Sequence, residues 1–142
     1  MTNFETIYAA LFAKLQAVSG IKTASRRLKH WNDVAANLQP ALYMVQTGEA
    51  PEQVRGLPAK WRLSVEVYVY VNVPTEKIVP STLLNPILGA IRDILAPDNL
   101  AANVNTLGGL VSHCWLSGQI EVYDGVLGDQ AVALVPVEIL TA

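Results

Sequence analysis

The sequence predicts an α+β fold, a mainly antiparallel β-sheet with two α-helices packed on it and a C-terminal β-hairpin. Three observations predict it. Two segments carry apolar residues at spacings of three and four, the helical signature. Residues 61–72 alternate apolar and polar over twelve positions, the signature of a strand with one buried face. The C-terminal part holds two strand-like runs on either side of an Asp- and Gly-containing turn. The order helix, strands, helix, hairpin shows no repeat, so residues 1–142 read as a single domain of ordinary size.

The first segment is a helix. Phe4, Ile7, Tyr8, Leu11, Leu15 and Val18 make one apolar stripe. Thr2 and Glu5 have capping-box spacing, and Gly20 is a natural stop. Only Glu5 and Lys14 are charged on the opposite side, so the stripe faces a core and lacks the basic face of a membrane-surface helix. Residues 22–30 hold four bases (Lys22, Arg26, Arg27 and Lys29) and no acid. A short exposed strand here is either charge protecting a sheet edge or a basic patch for an acidic partner or nucleic acid. Trp31 to Pro40 reads as a loop, and Ala41 to Val45 as a short buried strand. Residues 47–60, with Gly48, Pro51, Gly56 and Pro58, read as a long exposed loop.

In the alternating strand, Trp61, Leu63, Val65, Val67, Val69 and Val71 form the apolar face. Tyr68 and Tyr70 on the other face imply that it too is partly covered. Leu84, Ile87, Leu88, Ile91, Ile94 and Leu95 mark a second helix within 81–95. Pro86 belongs in its first turn, because an interior proline costs about 3 kcal/mol. The cap is therefore expected between Ser81 and Asn85, and the end before Pro97. The hairpin is expected as one strand from about Val111 to Tyr123, a turn marked by Asp124-Gly125 and Gly128, and a second from about Asp129 to Leu140. Pro136 inside that second strand predicts an edge position or a bulge.

The chain is 51% hydrophobic and 15% charged, against roughly 25% charged in an average soluble protein. This excludes disorder and leaves apolar surface to be buried. A membrane span needs roughly 20 consecutive apolar residues, and every run here is broken by a polar residue or proline. Met1-Thr2-Asn3-Phe4-Glu5 shows no basic leader before an apolar stretch, so no signal peptide is expected. The lone Cys114 excludes an internal disulfide and fits a reducing compartment. Net charge is −2, but residues 1–62 carry eight Lys/Arg against four Asp/Glu, and residues 63–142 carry two against eight. The sorting is either chance on a sparsely charged surface or the mark of a subunit that stacks head-to-tail on complementary partners. The balance is unlike that of a nucleic-acid binder.

No phosphate-binding loop, dinucleotide fingerprint, zinc-protease motif or nucleophile elbow is present. His113 and Cys114 are neighbours in a strand and point to opposite faces, so they are no nucleophile–base pair. Asp124 and Asp129 flank a turn, where aspartate is favoured for backbone reasons. Trp31, Trp61 and Trp115 read as core or interface anchors. No catalytic residue, cofactor or metal site is expected.

The segment from Thr106 through Gly118, with Gly125-Val126-Leu127-Gly128-Asp129-Gln130 and Val135-Pro136-Val137, resembles small tail proteins of long-tailed bacteriophages. Gln39-Pro40-Ala41-Leu42-Tyr43 resembles an earlier motif of the same group. The element order is similar to that of the tail-terminator (tail-completion, minor tail protein U-like) family. The resemblance implies a structural virion protein, not an enzyme, assembled in the host cytoplasm. It implies a ring, usually hexameric, at the head-proximal end of the tail tube, contacting the tube protein and the head connector or neck protein. DNA would pass through its lumen without specific binding. Ring contacts are expected among Arg26, Arg27, Lys29, Glu49, Glu52, Arg55, Tyr68, Tyr70, Asp124, Asp129 and Pro136. Two other readings stay open: a tail-tube subunit or head–tail joining protein, and a cellular ligand-binding domain or small enzyme, which would need a concave pocket with convergent polar groups.

Overall fold

The computed structural model describes residues 3–142, with the side chains of 125–127 left aside. Thr2, read above as half of a capping box, lies outside the described residues. Helix α1 spans Phe4–Gln16 and is capped by Asn3, whose Oδ1 accepts the Glu5 N–H at 2.8 Å. Ile7, Tyr8, Leu11 and Leu15 are its buried stripe. The helix ends at Gln16, ahead of Gly20, which at φ +89° turns the chain only after the helix has stopped.

Strand β1, Thr23–Ser25, runs parallel to β2, Ala41–Glu52, between them lying two short 3₁₀ turns at Trp31–Asp33 and Ala36–Leu38. Strand β3, Lys60–Asn72, pairs antiparallel with β2 all the way to Glu52↔Lys60. The expected loop at 47–60 is thus half strand: 47–52 extend β2, Lys60 opens β3, and the connection is 53–59. The breaker residues have positional reasons. Gly48 sits at a bulge after Gln46. Pro51 lies where β2 is an edge, since β1 covers only Ala41 to Tyr43, so its missing N–H breaks no ladder there.

Helix α2 spans Pro80–Ile94, starting a turn earlier than expected, with Val79 as cap and Pro80 in the first turn. Pro86 therefore lies inside the helix and not in its first turn. It has no N–H to return to the Thr82 carbonyl, and it is exposed, so solvent can take that carbonyl. Buried Leu84, Ile87, Leu88 and Ile91 carry the packing.

Strands β4 (His113–Leu116), β5 (Glu121–Leu127) and β6 (Gln130–Leu140) complete the sheet, in the order β1-β2-β3-β6-β4 with β5 also on β6. The expected first hairpin strand is thus two strands lying end to end beside β6. The turn is the two-residue link Gly128-Asp129, where Gly128 adopts φ +67°. Asp124 and Gly125 instead belong to β5, at its irregular register. Pro136 is on neither an edge nor a bulge. Strand β6 is central, paired with β3 from Arg62↔Leu140 to Asn72↔Gln130. The Pro136 carbonyl accepts the Ser117 N–H, so its nitrogen also faces the β4/β5 side. There the missing donor meets the gap between β4 and β5, and the proline costs no ladder bond.

One sheet face carries both helices. Leu42, Met44, Leu63, Val65, Val67, Val69, Val135, Val137 and Ile139 point into this core with the helical stripes, and Phe4 meets Trp61 edge-on at 5.9 Å. Cys114 is fully buried here. Asn105 ties α2 to the sheet. Its Nδ2 donates to the carbonyls of Ile94 (2.8 Å) and Ala96 (2.7 Å), its Oδ1 accepts from Leu107, and its backbone joins His113 and Cys114. Beside it, Asp98 accepts the N–H groups of Thr106 (2.7 Å) and Gly108 (2.9 Å) and the Thr106 hydroxyl.

Two outcomes follow. Pro86→Ala restores an interior helix donor and should raise stability by about 1–3 kcal/mol; a urea midpoint that stays or falls would contradict the account of α2. The Gly108 N–H first, then that of Thr106, hold the Asp98 carboxyl below the usual carboxylate range. A lowered folded value means a contribution present above the unfolded value near about 4 and lost as pH falls through the folded one. Asp98→Asn should therefore destabilise at pH 7, with the gap to the unaltered protein closing below about pH 4; a gap independent of pH would refute it.

Candidate assembly interface

Among the described residues no α-helix lies on the second sheet face. Alternation places Tyr43 of β2, Arg62, Glu66, Tyr68 and Tyr70 of β3, Val132, Leu134, Pro136 and Glu138 of β6, His113 and Trp115 of β4, and Glu121 and Tyr123 of β5 on it. The segment following β1 crosses one end of this face. The Tyr70 hydroxyl donates to the Lys29 carbonyl at 2.7 Å. Ala41, Tyr43, Tyr70 and Val132 close on Val34 as a second small core, with Trp31, Tyr68 and Leu134 packed against it. Burial pushes the Tyr70 phenol up to about 12, and also raises Tyr43 and Tyr68, so these groups stay neutral at physiological pH. The partial covering inferred from Tyr68 and Tyr70 is therefore present, and it is supplied by a loop. Between that loop and β5 runs an open groove with His30 and Trp31 on one bank, Tyr123 on the other, and Tyr68, Tyr70, Val132 and Leu134 as floor.

The opposite end of the face is satisfied internally. The Arg62 guanidinium bonds Glu138 (2.7 Å) and Glu52 and lies over the Trp115 ring at 5.4 Å. His113 stacks on Trp115 with centroids 4.8 Å apart. Glu52 is thus spent within the chain. So is Glu49, which lies in β2 on the helix side and accepts the Tyr8 hydroxyl at 2.7 Å. Arg26 forms a two-pronged pair with Glu5 of α1, at 2.6 and 2.8 Å. Arg27 and Lys29 are exposed past β1. Arg55 is exposed in the 53–59 link, far along the strands from Asp124 and Asp129, which are exposed at the β5–β6 end.

The structure sets Tyr68 and Tyr70 side by side on β3 and leaves Asp124 and Asp129 exposed at the same β5–β6 end. It does not join either group to Arg55, Glu49 or Glu52. Trp31, read from the sequence as a core or interface anchor, packs against this second core and lines the groove. Sequence reasoning missed Tyr123, Val132 and Leu134 as groove residues; Val132 and Leu134 share the period-two alternation of β6 that could have found them. It also missed Val54 and Leu57, 62% and 60% exposed beside Arg55. Among the described residues no three His, Cys, Asp or Glu converge to hold a metal ion. Burial pushes the Cys114 thiol up to about 12, while His113 Nδ1 accepts the Asn105 N–H. His30 Nδ1 accepts from Asn32. Neither imidazole serves the thiol. Among the described residues no helix is long and apolar enough to cross a membrane. The groove's apolar lining and the graded charge at the sheet's margins suit contact with another protein surface.

No protein-family profile matches the sequence, and no curated protein does. Solved structures do match the fold. A chain in the virion of a native gene transfer agent particle superposes with a TM-score of 0.55 at 13% identity, over 94% of this chain and 92% of that one. A second solved chain superposes with a TM-score of 0.54 at 14% identity, over 100% of this chain and 97% of its own length. At these identities the likeness is one of fold, and it takes in the whole chain, helices and sheet together.

Proposed function

We propose that this chain is a structural protein of a phage-type virion. It forms a ring at the head-proximal end of the tail tube, ends tube polymerisation and joins the tail to the head connector. The observation that carries the reading is the fold likeness, over 94% of this chain, to a chain of a gene transfer agent virion. The tail-terminator resemblance of the segments around Gly108 and Pro136 supports the finer role.

The physical chemistry supports an assembling subunit. A heterologous contact lets identical subunits close a circle through two different patches. Residues that would meet a neighbour are exposed at both margins of the sheet, and the helix-free face carries an open aromatic groove. The acidic C-terminal half is suited to a lumen through which DNA slides without binding. The work is mechanical, with no covalent step.

Imaging particles that carry the tagged protein tests the reading. One ring at the junction of tube and connector is the expected result. Rings repeated along the tube would make it a tube subunit, density confined to the connector a joining protein, and absence from particles would end the virion reading.

A further inference from the structure

We infer that the two margins of the sheet bind each other between copies, the β1 margin of one subunit meeting the β5 margin of the next. The contact deepens the ring reading and rests on it for closure into a circle.

The register sets the geometry. Thr23, Ala41, Tyr70, Val132 and Tyr123 lie in one row across five strands. Ser25, Tyr43, Tyr68, Leu134 and Glu121 form the next row. So Thr23–Ser25 and 121–123 sit at the same level on opposite margins, about 19 Å apart across four strand spacings. Among the described residues β1 pairs only with β2, and β5 only with β6, so each keeps backbone donors and acceptors on its outer side. Strand β1 is parallel to β2, and β5 is antiparallel to β6. Following the alternation across the sheet, β1 and β5 run in opposite directions. A second copy set beside the first in the same orientation brings its β5 against β1 as an antiparallel pair, continuing both rows.

The charges fit the same arrangement. Lys22 and Arg27 are exposed at the β1 margin, and Glu121 and Asp124 at the β5 margin. They are too far apart to neutralise one another within one chain, and among the described residues none of the four forms an ion pair. Exposed apolar side chains accompany each set, Leu28 on one side and Val122 with Tyr123 on the other. A base-rich margin repels its own kind, as does an acid-rich one. The only attractive meeting is unlike with unlike, which is head-to-tail.

Charge reversal tests this directly. Lys22→Glu with Arg27→Glu makes both margins acidic, and Glu121→Lys with Asp124→Lys makes both basic. Each double variant alone should associate at least about tenfold more weakly than the unaltered protein by sedimentation velocity, with unchanged melting by circular dichroism. Mixed one to one, they should recover assembly with strictly alternating subunits, read by native mass spectrometry, because each acidic margin then meets a basic one. Variants that assemble like the unaltered chain, a mixture that does not recover, or an unaltered chain monomeric at millimolar concentration would each overturn the contact. Normal rings in both variants would do so and leave the virion reading standing. Alternating assembly by a protein absent from particles would do the reverse.

Discussion

Everything in this fold hangs on the ladder between β3 and β6. It is the longest uninterrupted pairing of the sheet's interior, running from Arg62↔Leu140 to Asn72↔Gln130. Both partners place valines on the helix side at alternate positions, and those valines form the floor on which α1 and α2 lie. Strand β2 adds to the free side of β3, β1 adds to β2, and β4 and β5 share the free side of β6. A one-residue slip in that pairing would turn each apolar row to the wrong face at once.

Because both helices lie on one face, the other face had to be resolved differently at its two ends. At one end a loop brings Trp31 and Val34 down on buried tyrosines. At the other a small ionic and aromatic network around Arg62 absorbs the charges. Such surface pairs are worth little individually, so their effect is to leave that end electrically quiet and to leave the margins of the sheet as the charged places. The low overall charge of the chain is thus concentrated where it has consequence.

The helical stripes, the alternating strand and the α+β class were readable because each follows one periodicity over many residues. The misreadings fall where a breaker residue has an unusual but physically permitted place. Gly48 and Pro51 suggested a loop, yet a bulge and an edge accommodate them inside β2. Pro136 suggested an edge, yet a gap in the neighbouring strands gives its missing donor nowhere to be missed. Pro86 suggested a helix start, yet it sits on the solvent side of a helix held by four buried aliphatic residues. The groove was illegible because its bank is a loop, and its residues come from four separated segments that only the strand order brings together.

The strand order also has a consequence for biosynthesis. Strand β3 is completed while β6, its principal partner, is still roughly sixty residues from being made. At about 5–20 residues per second, the nascent chain carries β3 with one side unmatched for about 3–12 s. That segment, Val65 to Val73, is rich in valine and tyrosine and lacks Pro and Gly, the composition that favours cross-β pairing. Glu66 within it and Arg62 just before it put charge in and beside the apolar run, the placement by which sequences disfavour pairing with neighbouring nascent chains.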